Sequence, residues 1–151
     1  MTLGRLAGAL HAHLPDGQPL RAYAELLATP GLGPAFRGYL TGSIDLVWRW
    51  SEDGADRYAL ADYKTNRLAG FAPAALHAEM QDKHYWLQAL IYLVALHRHL
   101  GARLPGYDAD RQLAGAAYLF LRGMTGSPEA GVAAWRPAGA LLDALSEAFD
   151  G

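Results

Sequence analysis

The sequence predicts an α/β domain in which helices flank a mixed β-sheet, and three observations lead to this fold class. Apolar and polar residues alternate from Ile44 to Trp50, and a second strand-like segment runs from about Arg57 to Thr65 after a polar turn. The apolar segment Ala116 to Leu121 has the composition of a buried central strand. Helical patterns precede, separate and follow these strands, which is typical of a sheet covered by helices.

The N-terminal half is predicted to be two helices followed by a hairpin. Residues 1–28 are rich in alanine and leucine, and Pro15-Asp16-Gly17 divides them into two helical stretches. The segment from Thr29 to Pro34 is predicted to be a loop because its prolines and glycines interrupt helical hydrogen bonding. A polar, glycine-containing turn joins the two strands that follow, so we expect an antiparallel pair.

The C-terminal half is predicted to alternate helix and strand. One long helix is expected from Pro73 to about Leu100, since proline suits a first helical turn and Gly101 marks a stop. Leu104 to Leu113 is expected to be a loop. After the buried strand, a short strand from Val132 to Trp135 and a closing helix from Pro137 to Phe149 complete the predicted order.

Composition excludes several classes of protein. The 151 residues are 52% hydrophobic and 19% charged, which favours one packed core over disorder, and the absence of cysteine excludes disulfides and thiolate metal sites. A net charge of −2 argues against capture of duplex DNA by bulk positive charge. The longest apolar run, Ala89 to Leu96, is far too short to span a membrane, so we expect a cytoplasmic protein with no membrane partner.

Charged residues mark one end of the predicted hairpin. Asp62 and Lys64 are two apart on a strand, so their side chains share a face, and pairing can bring Asp45 opposite them. Two carboxylates about 4 Å apart repel by roughly 4 kcal/mol at an effective dielectric near 20. A cation such as Mg²⁺, which binds one or two carboxylates and keeps its waters, would remove this repulsion. The alternative is a half-exposed Asp62–Lys64 ion pair at a sheet edge.

A polar stripe marks the long helix. Gln88 and Tyr92 are four residues apart and therefore lie on one helical face, and His84 extends the stripe by one turn. Amide and phenol groups suit hydrogen bonding to phosphate oxygens or to a bound water. The alternative is that Tyr92 belongs to the core and Gln88 to the surface. The four tryptophans are interpreted as core or interface residues and not as base-stacking platforms: Trp48, Trp50, Trp86 and Trp135.

These motifs, in this order, resemble the PD-(D/E)xK nuclease superfamily, and within it the C-terminal nuclease domains of RecB subunits of helicase–nucleases. The matching segments are Gly42–Val47 (GSIDLV), Asp62–Asn66 (DYKTN), and the pair Gln88 and Tyr92. Further matches are Ala95–Arg98 with Leu100, Tyr118–Gly123, and Arg136-Pro137. The resemblance implies a restriction-endonuclease-like fold, with residues 38–151 as the nuclease core and residues 1–37 as a helical and loop segment of the same domain.

The resemblance also implies roles for individual residues. Asp45 and Asp62 would bind the metal, and the backbone carbonyl of Tyr63 would complete the inner shell. Lys64 would orient or activate the attacking water. The implied cofactor is Mg²⁺, with Mn²⁺ as a substitute.

The remaining implied residues concern the substrate. Gln88 and Tyr92 would shape the site and contact the DNA strand. The implied reaction is exonucleolytic hydrolysis of phosphodiester bonds in a single strand delivered by a helicase, together with other RecBCD-type subunits, during double-strand break repair and recombination.

The front of the sequence departs from the family pattern. Family members carry a metal-binding histidine and an acidic residue upstream of the first motif, and neither has a convincing match here. We therefore expect an N-terminally truncated domain, the tail of a larger protein, whose activity in isolation is an open question. Two alternatives follow: a catalytically silent module that docks on helicase partners, and a free-standing CRISPR-associated or phage-type nuclease. The lack of cysteines for an iron–sulfur cluster counts against the last one.

Overall fold

A computed structural model describes residues 2–29, 41–127 and 129–150. The chain forms two compact units, one made of residues 1–42 with 138–151 and the other of residues 43–137. The boundary predicted between residues 37 and 38 lies outside the described residues, as does all of the predicted Thr29–Pro34 loop except Thr29. None of the described helices is long and apolar enough to cross a membrane.

The first unit is helical. It contains α1 (Leu3–His13), α2 (Pro19–Ala28) and α6 (Gly139–Asp150), and α1 packs against both of the others. The predicted break between the first two helices is confirmed. The Arg21 guanidinium closes that turn by donating hydrogen bonds to the carbonyl oxygens of His11 (3.2 Å) and Leu14 (2.6 Å).

The second unit is a four-stranded mixed sheet with helices packed on it, which confirms the predicted fold class. Its strands are β1 (Leu46–Glu52), β2 (Ala55–Lys64), β3 (Leu113–Phe120) and β4 (Val132–Trp135), in that spatial order. The outer pairs are antiparallel, whereas β2 and β3 run parallel. The central strands therefore carry the buried part of the sheet, and β1 is an edge strand with Trp48 exposed.

The hairpin of β1 and β2 forms as predicted, with a tighter turn than the sequence indicated. Glu52 pairs with Ala55, so only two residues make the turn, and both have positive φ: Asp53 (52°) and Gly54 (74°). Such two-residue turns match the twist of the paired strands. At the other end Leu46 pairs with Ala61, and this register brings the residue before β1 next to the last residues of β2.

The predicted single helix from Pro73 to Leu100 is wrong, because the chain forms two helices there. They are α3 (Pro73–Asp82) and α4 (Tyr85–Arg103). His84 adopts a left-handed conformation with φ of 54°, which ends the helical hydrogen-bond series. Non-glycine residues adopt this conformation at a cost, and no glycine or proline signalled the break. The new start places Tyr85 in the first turn of α4.

The predicted loop from Leu104 to Leu113 contains a short helix, α5 (Ala109–Gln112), and its last residue already belongs to β3. Asp108 caps this helix by accepting a hydrogen bond from the Asp110 N–H at 3.0 Å. Aspartate favours helix starts for this reason, and the sequence interpretation overlooked the signal. The strand Val132–Trp135 and the closing helix are confirmed, the latter beginning two residues later than predicted.

Candidate active site

The predicted pair Asp62 and Lys64 lies at the carboxyl end of β2. The Lys64 Nζ atom is 2.5 Å from Asp62 Oδ1, and the two side chains are only 11% and 5% exposed, respectively. Because β2 lies between β1 and β3, the alternative of a half-exposed pair at a sheet edge is wrong. A buried ion pair costs desolvation energy that its own attraction only partly returns. The fold therefore keeps two charged side chains at a position where the loss of water destabilises them.

Asp45 reaches the same end of the hairpin, which the predicted hairpin pairing allowed. Its Oδ2 atom accepts a hydrogen bond from the backbone N–H of Tyr63 at 2.9 Å. Asp45 itself is exposed, in contrast to the buried Asp62. In an antiparallel pair a residue directs its N–H and its carbonyl towards the same neighbouring strand, so the Tyr63 carbonyl is directed to the side on which Asp45 lies.

Gln88 connects the helix to this strand end. Its Oε1 atom accepts hydrogen bonds from Lys64 Nζ (3.0 Å) and from the Tyr118 hydroxyl (3.1 Å), while its Nε2 atom donates to the Tyr92 hydroxyl (3.1 Å). The ammonium fixes the orientation of the amide, since a flipped amide would direct two N–H groups at a cation. Gln88 is therefore not the surface residue of the alternative interpretation; it is half-buried.

Tyr92 and Tyr118 complete the polar cluster. Both side chains are buried, and each hydroxyl is paired with Gln88. Burial raises the pKa of the Tyr118 hydroxyl well above its ordinary value, and the negative charge of Asp62 raises it further. Tyr118 therefore remains a neutral hydrogen-bond donor throughout the physiological range. The five predicted catalytic residues are brought together: Asp45, Asp62, Lys64, Gln88 and Tyr92.

His84 does not lie on the same helical face as Gln88 and Tyr92, where the sequence predicted it. It is the exposed residue of the left-handed turn before α4, since the helix that would have aligned it with Gln88 begins only at the next residue.

Sequence reasoning missed a second layer around Lys64. The Lys64 Nζ atom lies 3.8 Å from the centroid of the Tyr85 ring. The Tyr85 hydroxyl contacts Asn66, whose Nδ2 atom also donates to Glu79 Oε1 at 2.7 Å. Asn66 was visible as part of the DYKTN motif, but no spacing in the sequence linked Tyr85 or Glu79 to it. These two residues flank the unforeseen break between α3 and α4.

The donor set at this site fits a divalent metal ion. Asp45, Asp62 and the Tyr63 carbonyl offer oxygen ligands, which Mg²⁺ prefers. Within residues 2–29, 41–127 and 129–150, Asp45 Oδ1 and Asp62 Oδ2 have no hydrogen-bond partner and are free to ligate. The same described ranges contain no group of three histidine or acidic side chains that could hold a metal. A metal here would keep several waters, as Mg²⁺ commonly does.

Comparisons with known proteins agree with this arrangement. The family model of the PD-(D/E)XK nuclease superfamily matches residues 3–149, including the N-terminal segment, where two upstream residues of the family pattern had no convincing match. The RecBCD enzyme subunit RecB of Mycobacterium tuberculosis is 42% identical over 162 residues, which cover 99% of this chain and 14% of that protein. The RecB subunits of Haemophilus influenzae and Escherichia coli are 44% and 41% identical over 75% and 76% of the chain, and over 9% and 10% of their own lengths.

The chain thus spans a seventh or less of the curated relatives described above. The family match covers nearly the whole chain, and the motif residues meet at one end of the sheet. This chain belongs to the PD-(D/E)XK nuclease superfamily and is homologous to the nuclease region of RecB.

Proposed function

We propose that this domain is a Mg²⁺-dependent DNA exonuclease that hydrolyses phosphodiester bonds as part of a helicase–nuclease for double-strand break repair and recombination. The observation that carries the proposal is the connected cluster at the end of β2, in which Asp62, Lys64, Gln88 and Tyr92 follow one another through contacts of 2.5 to 3.1 Å. Mn²⁺ is the expected substitute for Mg²⁺.

The metal ligands in this proposal are Asp45, Asp62 and the Tyr63 carbonyl. A divalent cation bound by them would neutralise the two carboxylates and lower the pKa of a bound water that attacks phosphorus. The Lys64 ammonium lies beside Asp62 and is therefore placed to orient that water and to stabilise the charge that develops on the phosphate oxygens.

Gln88 and Tyr92 have supporting roles. Gln88 holds the Lys64 ammonium through its carbonyl oxygen, which fixes the direction of the cation. The Tyr92 oxygen accepts from the Gln88 amide, so the hydroxyl proton of Tyr92 is available for a phosphate oxygen or a water. As the family resemblance implies, both residues are proposed to lie near the scissile bond and to contact the DNA strand there.

The substrate and partners are proposed from the relatives. A chain with a net charge of −2 is poorly suited to capturing DNA by itself, which favours a single strand delivered by a helicase. The relatives are subunits of RecBCD enzymes, so other RecBCD-type subunits in the cytoplasm are the proposed partners.

The test is degradation of linear single-stranded DNA by the purified chain in Mg²⁺, beside Asp62→Ala and Lys64→Ala. Cleavage that both substitutions abolish is the expected result. Circular dichroism of each variant is the folding control, and Arg49→Ala, which removes an exposed charge from the middle of β1, is the matched variant that should cut normally. Cleavage that survives both substitutions would contradict the proposal.

A silent docking module is the second candidate, and the exposed edge strand favours it. Leu46, Val47 and Trp48 of β1 are large apolar residues open to solvent. Mn²⁺ titration followed by calorimetry separates the two candidates. A nuclease binds the ion saturably and loses binding in Asp62→Ala, whereas a silent module shows no saturable binding that depends on Asp62.

A further inference from the structure

We infer that Tyr85 is a positioning residue for the Lys64 ammonium. The inference rests on the proposed function, in which Lys64 acts on the attacking water, and it adds a residue that the motifs do not contain. Lys64 Nζ stands 3.8 Å from the Tyr85 ring centroid and 5.1 Å from that of Tyr118. An ammonium over the face of an aromatic ring is attracted by the negative charge on that face.

The contacts of the ammonium explain why the ring is needed. Its partners are Asp62 Oδ1 at 2.5 Å, Gln88 Oε1 at 3.0 Å, and the face of Tyr85. When Asp62 ligates a metal, its negative charge is shared with that ion, and the attraction that holds Lys64 weakens. Gln88 and the two aromatic rings, of which Tyr85 is the nearer, then remain to keep the ammonium in place. The ring cannot ligate a metal, so its hold on Lys64 is independent of metal binding.

Contacts at its hydroxyl and at its face hold the Tyr85 ring in place. Its hydroxyl lies 3.2 Å from Asn66 Nδ2, and the same amide nitrogen donates to Glu79 Oε1 at 2.7 Å. The ring stacks with Tyr118 at a centroid distance of 6.0 Å and an interplanar angle of 29°. Asn66 lies two residues after Lys64, just beyond the end of β2, so the segment that follows the lysine also holds the Tyr85 ring.

The sequence contains only two lysines, Lys64 and Lys83, which makes a direct measurement possible. Lysine labelled with 13C at the ε-carbon gives one ε-methylene signal for each of the two residues in an NMR spectrum of the metal-free chain. The signal of Lys64 should be displaced upfield by the ring current of Tyr85, whereas that of Lys83, which is half-exposed and paired with Asp82, should have an ordinary shift. Lys83→Arg assigns the signals.

The variants are Tyr85→Leu, which removes the ring, and Tyr85→Phe, which retains it. Tyr85→Leu should move the Lys64 signal downfield, towards an ordinary shift, and lower kcat for single-stranded DNA by about tenfold, with KM within about twofold of the original. Tyr85→Phe should keep the upfield signal and most of kcat. Tyr107→Leu, which removes a ring that packs against His97, is the matched control and should change neither.

The outcomes are distinct. An unchanged Lys64 signal in Tyr85→Leu, or an effect confined to KM, overturns the inference. If Tyr85→Leu fails to fold, Asn66→Ala serves instead, because it keeps the Tyr85 ring but removes the hydrogen bond that holds its hydroxyl. An unmoved Lys64 signal and an unchanged kcat in Asn66→Ala also overturn the inference. If the unsubstituted chain cuts no DNA on its own, the kinetic comparison drops out, and the NMR comparison alone decides whether Tyr85 holds Lys64.

Discussion

The hairpin of β1 and β2 carries one ion pair near its turn and another at its open end, and the first is exposed whereas the second is buried. At the turn end, Arg49 and Asp56 approach to 3.5 Å with side chains 65% and 40% exposed. At the open end, Lys64 and Asp62 approach to 2.5 Å with side chains 11% and 5% exposed. Solvent screens the first pair, and such pairs contribute about 0–1 kcal/mol. The second pair has lost its water, and only a hydrogen-bonded cluster compensates for that loss.

This difference in exposure distinguishes surface charges without a function from charges that belong to a functional site. A buried ion pair is weak evidence for stability, because apolar residues of similar volume commonly do as well or better. The open end nevertheless keeps Asp62, Lys64 and Gln88 together. The arrangement is explained by chemistry that needs a carboxylate and an ammonium at fixed positions, which is the chemistry of the proposed nuclease site.

The largest effect is expected for Lys64→Met. The substitution leaves the Asp62 carboxylate buried without a cation, so the free energy of unfolding should fall by about 3–5 kcal/mol. Urea denaturation measures this. Millimolar Mg²⁺ should restore part of the loss, since a cation bound to the folded state stabilises it by mass action.

The double variant Asp62→Asn with Lys64→Met is the control for that measurement. It removes the uncompensated charge, so it should be more stable than Lys64→Met alone and insensitive to Mg²⁺. If Lys64→Met lowered the free energy of unfolding by less than about 1 kcal/mol, the buried pair would contribute no more than the exposed one. That result would contradict the difference between the two ends of the hairpin.

Tyr92→Phe should have the next largest effect. It removes the acceptor of the Gln88 amide and leaves a half-buried N–H unpaired, which costs about 1–2 kcal/mol. The fold should persist while turnover or DNA affinity falls, as measured by single-turnover cleavage and by binding in Ca²⁺. Unchanged kinetics would remove Tyr92 from the site and leave it a structural residue.

Tyr118→Phe tests the same cluster through pH. Below about pH 10 the phenol is protonated in both folded and unfolded chains, and the substitution should cost about 1 kcal/mol for the lost hydrogen bond to Gln88. Because burial raises the pKa of Tyr118 in the folded state, only the unfolded state ionises above that pH. Stability of the unsubstituted chain should then fall by up to about 1.4 kcal/mol per pH unit.

The measurement is the difference in unfolding free energy between the unsubstituted chain and Tyr118→Phe from pH 9 to 11.5. Subtraction cancels the other tyrosines and the two lysines. The difference should shrink and then change sign as pH rises, and a constant difference would mean that Tyr118 ionises in the folded chain as freely as in the unfolded one.

Part of this site was accessible from sequence because its geometry is local. Period-two alternation places Asp62 and Lys64 on one face, hairpin pairing brings Asp45 beside them, and helical spacing aligns Gln88 with Tyr92. Each of these relations depends on one element or on two consecutive ones. The predicted fold class, a mixed sheet flanked by helices, followed from the order of helices and strands along the chain.

The rest depends on contacts between elements distant in sequence. Tyr118 meets Gln88 only because β3 lies parallel to β2 beneath α4, and Tyr85 faces Lys64 only because α4 begins after a left-handed residue. His84 is not a glycine, so its residue type did not predict the left-handed conformation or the helix break. The burial of the Asp62–Lys64 pair likewise depends on what covers β2 and not on β2 itself.

The smallest effect is expected at the turn end, for Arg49→Ala. Removal of this exposed guanidinium should lower the free energy of unfolding by less than about 0.5 kcal/mol, and 0.5 M NaCl should abolish even that difference, because salt screens exposed charges. Asp56 keeps its 2.7 Å hydrogen bond from the Ser51 hydroxyl, so no buried group is left unpaired. Cleavage of single-stranded DNA should be unchanged. A loss of several kcal/mol, measured by urea denaturation at low and high salt, would mean that the turn end is as tightly coupled as the open end, and exposure would then no longer explain why the two ends differ.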